Sequence, residues 1–178
     1  MGSWNGSAYT GIAGLIDAGR ANGTWTGTGG IVTTSAAPAD LTTLGIATAG
    51  SVQASAFAGL SLAANDVLVR YTWGGDANLD GRIDIDDYGQ IDFNVAIPGA
   101  SGWSGGDFNY DGKINIDDYG IIDFNVGAQT GSFPAGGVPE AAVRVPEPAP
   151  LGLLWITSLI RTRRRSVSSA GAPMRPAN

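Results

Sequence analysis

GDANLDGRIDIDDYGQIDFN, residues 75 to 94, is followed by GDFNYDGKINIDDYGIIDFN, residues 106 to 125. The second passage repeats the first with few changes, 31 residues further along the chain. Each copy opens on Gly-Asp, carries Asp or Asn at alternate positions and then has an Asp-Gly pair. This duplicated loop decides both the fold class and the function that the sequence predicts.

The spacing of the oxygen-bearing side chains in each copy is that of a calcium-binding loop. Counted from Asp76, they fall at positions 1, 3, 5, 9 and 12, with Gly81 at position 6. Calcium takes six to eight oxygens at about 2.3 to 2.6 Å, and the glycine permits the turn that directs the carbonyl of position 7 inward. The predicted ligands of loop one are Asp76, Asn78, Asp80, Arg82 through its carbonyl, Asp84 and Asp87. Those of loop two are Asp107, Asn109, Asp111, Lys113 through its carbonyl, Asn115 and Asp118.

A single loop of this composition has a simpler interpretation, because Asp, Asn and Gly favour surface turns without any metal. Two loops with the same spacing favour the metal, so the sequence predicts two bound calcium ions. Asp87 also lies at the start of the following helix, where a carboxylate interacts well with the helix dipole. Loop one offers four carboxylates and loop two offers three, so loop one should bind calcium more tightly.

The apolar residues of the repeat predict how its halves pack. Ile83 and Ile114, both at position 8, are expected to pair between the loops. The following segments should supply a small core from Ile91, Phe93, Ile122 and Phe124. We therefore expect a pseudo-symmetric pair.

Across residues 74 to 127 the repeated D-x-N-x-D-G-x-I-[DN]-x-x-D pattern resembles a type I dockerin, a module that docks onto cohesin domains in extracellular polysaccharide-degrading assemblies. The resemblance implies two calcium-loop-plus-helix units, related to the EF-hand, and a cohesin-like partner. Dockerins that bind cohesins usually carry Ser/Thr pairs just after position 9 and basic residues further along the helix. The corresponding places here read Ile85-Asp86, Ile116-Asp117, Phe93-Asn94 and Phe124-Asn125.

Composition narrows the chemistry that this chain can perform. It has 178 residues, 28 Gly, a net charge of −6, and neither Cys nor His. Disulfides, thiolate nucleophiles, Cys/His zinc sites and His-based triads are thereby excluded. Residues 76 to 125 hold 11 of the 16 acids and only two bases, which favours cation binding and gives no indication of a nucleic-acid partner.

The chain divides by composition into five segments: a Gly/Ala/Ser/Thr-rich region (1–70), the repeat module (71–127), a linker (128–144), a sorting or anchor segment (145–166) and a disordered tail (167–178). In the first region, residues 10–19 have helical spacing and residues 31–34 and 66–73 favour strands. The predicted fold is mainly α in the repeat module, with a small α+β N-terminal region and a short C-terminal apolar helix.

The C-terminal stretch has a Val-Pro-Glu-Pro motif, 12 mostly apolar residues (149–160) and an arginine cluster. It is similar to the PEP-CTERM sorting signal through Val145, Pro146, Glu147, Pro148, Arg161, Arg163, Arg164 and Arg165. Twelve residues span roughly 18 Å as a helix, against a hydrocarbon core of roughly 30 Å. The resemblance implies export to the cell envelope or extracellular space, processing by membrane machinery, and a short or transient anchor.

Residues 1–20 lack the basic and continuous apolar regions of a secretory signal peptide. Because an exported protein needs such a signal, the chain is expected to be the C-terminal part of a larger bacterial secreted protein, or a product whose true start codon lies further upstream.

Two other function classes are compatible with parts of the sequence. Glycoside hydrolysis needs two carboxylates flanking a cleft, and the acids outside the calcium loops are scattered, so no catalysis is expected despite the family association with polysaccharide breakdown. Carbohydrate binding is the alternative, because Trp4, Trp25, Trp73 and Trp103 are candidate sugar-stacking side chains.

Overall fold

The computed structural model describes residues 1–36 and 40–134. They lie within the first of two compact units of the chain, Met1–Glu140. In chain order this part contains helix α1 (Gly11–Arg20), strands β1 (Thr42–Thr48), β2 (Ala56–Phe57), β3 (Leu60–Ser61) and β4 (Val67–Trp73), and helices α2 (Ile85–Val95) and α3 (Ile116–Ala128). A 3₁₀ turn lies at Trp103–Gly105. The C-terminal apolar helix, the sorting residues and the tail predicted above lie outside the described residues.

The prediction of a mainly α fold is wrong. The described residues form an α+β fold, with three α-helices and two small antiparallel sheets. Strands β1 and β4 pair over seven residues, from Thr42 opposite Trp73 to Thr48 opposite Val67. Strands β2 and β3 form a separate short hairpin.

Strand β1 was missed because its sequence does not alternate between apolar and polar residues. Six of its seven residues are buried, so both faces are covered and no period of two is visible. Gly45 lies in the middle of this strand, where a Cβ would come within 2.6 Å of the Trp103 indole nitrogen. A glycine inside a strand here marks the close approach of another segment.

Helix α1 agrees with the helix predicted over residues 10–19, and it buries Ile16 completely. The strand predicted at 31–34 is not formed. Ile31 instead donates its N–H to the carbonyl of Leu15 at 2.8 Å, so this segment packs along α1 without a strand partner.

Strand β4 confirms the strand predicted at 66–73, and its more buried face carries polar residues. Leu68, Arg70 and Thr72 are buried, whereas Val67, Val69 and Tyr71 are only half-buried. The buried arginine and threonine face the first loop of the repeat, as described below.

The two repeats form a pseudo-symmetric pair. Tyr88 donates its hydroxyl to Asp123 at 2.7 Å, and its counterpart Tyr119 donates to Asp92 at 2.5 Å. The glycine before each loop packs against the isoleucine of the other repeat's helix, Gly75 on Ile122 and Gly106 on Ile91.

One packing expectation needs correction. Ile91 and Ile122 are fully buried, but Phe93 and Phe124 are 72% and 62% exposed and contribute little to the core. The predicted pairing of Ile83 with Ile114 stays a prediction. The N–H and carbonyl of Ile83 bond to the side chain of Gln129, at 2.9 and 2.7 Å.

Candidate metal centre

The first predicted ligand of loop one, Asp76, lies at the centre of a hydrogen-bond network inside its loop. Its side chain is fully buried. Its Oδ1 accepts the N–H of Asp80 at 3.0 Å, and its Oδ2 accepts the N–H of Gly81 at 2.9 Å. The loop is thereby wrapped around this carboxylate.

The last predicted ligand, Asp87, joins the beginning and end of the loop. Its Oδ1 accepts the N–H groups of Ala77 and Asn78 at 2.8 and 3.1 Å, and its Oδ2 accepts that of Asp84 at 2.9 Å. Asp84 caps helix α2, and with Asp87 it forms a capping box. The helix start therefore fixes two predicted ligands.

The middle of loop one is shaped by short-range turns of the Asx type. Asn78 accepts the N–H of Asp80 at 2.8 Å, Asp80 accepts that of Arg82 at 3.1 Å, and Asp84 accepts that of Asp86 at 3.0 Å. These bonds bring successive side chains back toward their own backbone.

Loop two repeats all eight of these hydrogen bonds 31 residues later. Asp107 accepts the N–H groups of Asp111 and Gly112 at 3.1 and 2.9 Å, and Asp118 accepts that of Phe108 at 2.8 Å. In the remaining five, Asp118 accepts the N–H groups of Asn109 and Asn115, and Asn109 accepts that of Asp111. Asp111 accepts the N–H of Lys113, and Asn115 accepts that of Asp117. Thus two separate segments adopt one loop geometry.

The backbone turns where the spacing predicted. Gly81 and Gly112, at position 6, have φ of +100° and +81°. The residues at position 4, Leu79 and Tyr110, also have positive φ, of 59° and 61°. Glycine is needed at position 6 because its φ lies beyond the left-handed region that Leu79 and Tyr110 occupy, and because a Cβ there would collide with a neighbouring side chain.

The electrostatics of the loops favour a cation. Burial raises the pKa of Asp76 to about 6 and that of Asp87 to about 7, since desolvation outweighs the stabilising N–H donors. Burial likewise raises the pKa of Asp118 to about 6 and raises the pKa of Asp107. A divalent cation bound beside these side chains would favour their ionised form.

The residues of the two loops fit calcium by the type of their donor atoms. Their side chains are not already gathered around one point. Within residues 1–36 and 40–134, no group of three or more acidic side chains is placed to hold a metal ion as it stands. The donors offered by each loop are carboxylate, amide and carbonyl oxygens, the ligands that calcium prefers. All twelve predicted ligands lie in the two loops, six in each.

Sequence reasoning missed two hydroxyl groups that contact the loops from outside. Thr72 donates to Oδ2 of Asp76, and Tyr9 donates to Oδ2 of Asp107. Tyr9 precedes its partner by 98 residues, so no local spacing could reveal it. For Thr72 the sequence pattern predicts a place in a strand but no contact with the loop.

The four candidate tryptophans do not form an exposed face for stacking on a sugar. Trp25, Trp73 and Trp103 are buried, and Trp4 is partly buried against Gly112. Their burial favours the core interpretation over sugar stacking.

No helix in the described part of the chain has the length and apolar character needed to cross a membrane. In comparisons with known proteins, no family model, curated protein or solved structure matches this chain.

Proposed function

We propose that the chain is a non-catalytic, calcium-binding docking and structural module of an exported protein, with one calcium ion in each loop. The observation that carries this proposal is the set of eight hydrogen bonds shared by the two loops. An ordinary Asx turn is closed by a side chain that bonds to the backbone two residues further on. The shared network instead positions an oxygen at each of positions 1, 3, 5, 9 and 12.

Calcium is favoured over magnesium by the number and type of the donors. Each loop offers five oxygen-bearing side chains and one backbone carbonyl. Magnesium demands a near-ideal octahedron and gives up water reluctantly, whereas calcium accepts a flexible shell of six to eight oxygens.

Exposed apolar side chains on helices α2 and α3 support the docking part of the proposal. Ile85 and Ile116 are each 78% exposed, and Phe93 and Phe124 on the same two helices are also exposed. These are the positions where the dockerin resemblance places partner recognition, which makes a cohesin-like protein the proposed partner. Binding of a cohesin-type domain that is lost when both phenylalanines become serine, but kept in Leu60→Ser on the β3 hairpin, is the matching test.

The proposed destination is the cell envelope or the extracellular space, where the dockerin resemblance implies an association with polysaccharide-degrading machinery. It rests on the sorting-type motif at residues 145–148 and the arginines at 161 and 163–165, which lie outside the described residues. Calcium is abundant outside the cell, so such a location would keep sites of modest affinity filled.

The central test is a calcium titration of the full chain by calorimetry after chelation. We expect two ions per chain, with magnesium a poor substitute. Asp76→Ala and Asp107→Ala should each remove one site, with the larger loss of affinity for Asp76→Ala. The matched control is Asp86→Asn, an exposed acid of the same segment that is not a predicted ligand. A wild-type chain that binds no calcium would overturn the proposal.

A further inference from the structure

The two loops receive the same kind of support from elements that are unrelated to each other. In each loop the first carboxylate accepts a hydroxyl, a buried guanidinium donates to a loop carbonyl, and the turn glycine is covered by a side chain. For loop two these groups come from the start of the chain and helix α1, and for loop one they come from strand β4. We call the start of the chain, helix α1 and strand β4 together the N-terminal scaffold. It is defined by Trp4, Tyr9, Arg20, Arg70 and Thr72.

Loop two is held by the first 20 residues. The hydroxyl of Tyr9 accepts the N–H of Gly102 at 2.6 Å and donates to Oδ2 of Asp107. Arg20, oriented by its ion pair with Asp40, donates to the carbonyl of Asn109 at 2.7 Å. The Trp4 indole lies directly over Gly112, where a Cβ would collide with it.

Loop one is held by strand β4. Thr72, which is fully buried, donates its hydroxyl to Oδ2 of Asp76. The guanidinium of Arg70 donates to the carbonyl of Leu79 and lies against Gly81. The same guanidinium donates to the carbonyl of Phe133 at 2.7 Å, which ties the segment after α3 to the loop.

The hydroxyl donors leave the two oxygens of each first carboxylate in different situations. In both loops Oδ2 accepts two donors, one backbone N–H and one hydroxyl, while Oδ1 accepts one N–H. A carboxylate offers about four lone-pair sites in all, so Oδ1 keeps one that can face an ion. Partners of this kind orient a ligand without neutralising its charge, and their loss typically lowers metal affinity about 10-fold to 100-fold.

We infer that the N-terminal scaffold is part of both metal sites and that Tyr9 and Thr72 are positioning residues that raise the calcium affinity of loops two and one. This inference rests on the proposed calcium function. It assigns a specific role to residues 1–73, for which the sequence predicted only a short helix and strands.

The test compares hydroxyl deletions in the full chain by calorimetric calcium titration, with the product of the two dissociation constants as the readout. Tyr9→Phe and Thr72→Val should each raise that product about 10-fold, and the double variant about 100-fold, because the residues act on different loops. Thr72→Ser keeps the hydroxyl and should restore the wild-type value.

Two controls remove comparable hydroxyls that do not reach the loops. Tyr71→Phe deletes a hydroxyl bonded to Ser35 and Thr42, and Thr43→Val replaces a buried residue opposite Thr72 whose hydroxyl has no partner in the described part of the chain. Both variants should keep the product of the two dissociation constants within about twofold of the wild-type value. This change is much smaller than the roughly 10-fold change expected when a positioning residue is lost.

Circular dichroism of each metal-free variant at the titration temperature separates folding from affinity. If Tyr9→Phe does not fold, the Thr72→Val and Thr72→Ser pair decides the inference. Equal affinities for Thr72→Val and Thr43→Val would overturn it while leaving the calcium function intact. A wild-type chain without calcium binding would overturn the proposed function instead.

Discussion

Asp76 and Asp107 each accept three hydrogen bonds, two from their own loop and one from a hydroxyl of the N-terminal scaffold. A buried carboxylate is costly unless donors or a cation stabilise it. The donors are sufficient to orient these two carboxylates but leave their pKa values raised. At the scale of the residue, the loops therefore combine a fixed geometry with a charge that remains to be balanced.

The glycine at position 6 of loop two combines two requirements that can be separated by mutation. Gly112 has φ of +81° and lies under Trp4, whereas Gly99 has φ of +78° with open space around it. Gly99→Ala should cost about 1 kcal/mol of stability from backbone strain alone. Gly112→Ala should cost at least 1 kcal/mol more, because the added methyl also displaces the indole.

The measurement is chemical denaturation of each variant in the presence of calcium. The difference between the two glycine variants isolates the packing of Trp4 on the loop. Equal losses for the two would show that Trp4 moves aside without cost and contributes nothing to loop two.

At the scale of the element, helices α2 and α3 have strong starts and weak interiors. Each begins with a capping box, formed by Asp84 with Asp87 and by Asn115 with Asp118. Each also contains an interior glycine, Gly89 or Gly120, with open space where a Cβ would lie. The helices are therefore initiated by the residues that are the predicted ligands at positions 9 and 12 of each loop.

Replacing these two glycines should strengthen the helices. Gly89→Ala and Gly120→Ala are each expected to raise the free energy of unfolding by about 1 kcal/mol, since alanine has the higher helix propensity and nothing nearby opposes the methyl. Thermal unfolding followed by circular dichroism measures the effect. Unchanged or lowered stability in both variants would contradict the open surroundings seen at these positions.

Local pattern allowed α1, β4, α2 and α3 to be predicted, and the turns at Gly81 and Gly112 with them, because each follows from spacing within a short segment. The ligand role of the twelve loop residues stays a prediction. Strand β1 was not predicted because it is buried on both faces, so apolar and polar residues do not alternate along it. Phe93 and Phe124 were placed in the core because apolar character alone does not say which helix face is covered. Tyr9 and Thr72 could not be connected to the loops, since only the folded chain brings them together.

At the scale of the whole molecule, the repeat concentrates like charges that folding brings together. Residues 76 to 125 hold 11 acids and two bases, and four of the acids are fully buried: Asp76, Asp87, Asp107 and Asp118. Like charges held this close oppose the compact state. Calcium binding would offset this by RT ln(1 + [Ca]/Kd), about 2.7 kcal/mol per site at 100 times Kd.

This balance predicts that the stability of the metal-free chain and the additional stability caused by calcium change in opposite directions with pH. The folded-state pKa values of Asp76, Asp87 and Asp118 are raised to about 6, 7 and 6, above the ordinary value of 3.8. Between about pH 4 and 7 the metal-free folded chain therefore holds protons that the unfolded chain has released, so its stability should fall as pH rises through this window. Calcium competes with those protons, so the rise in melting temperature that it causes should grow over the same window.

Thermal unfolding of the full chain from pH 4 to 8, in chelator and in millimolar calcium, measures both trends. Magnesium at the same concentration controls for general charge screening and should reproduce only a small part of the calcium effect, because it fills such loops poorly. A calcium-induced shift that is the same at pH 5 and pH 7.5 would mean that the buried carboxylates of the loops are not the groups that bind the ion. A metal-free chain whose stability rises toward neutral pH would mean that the loops already stabilise their charges without it.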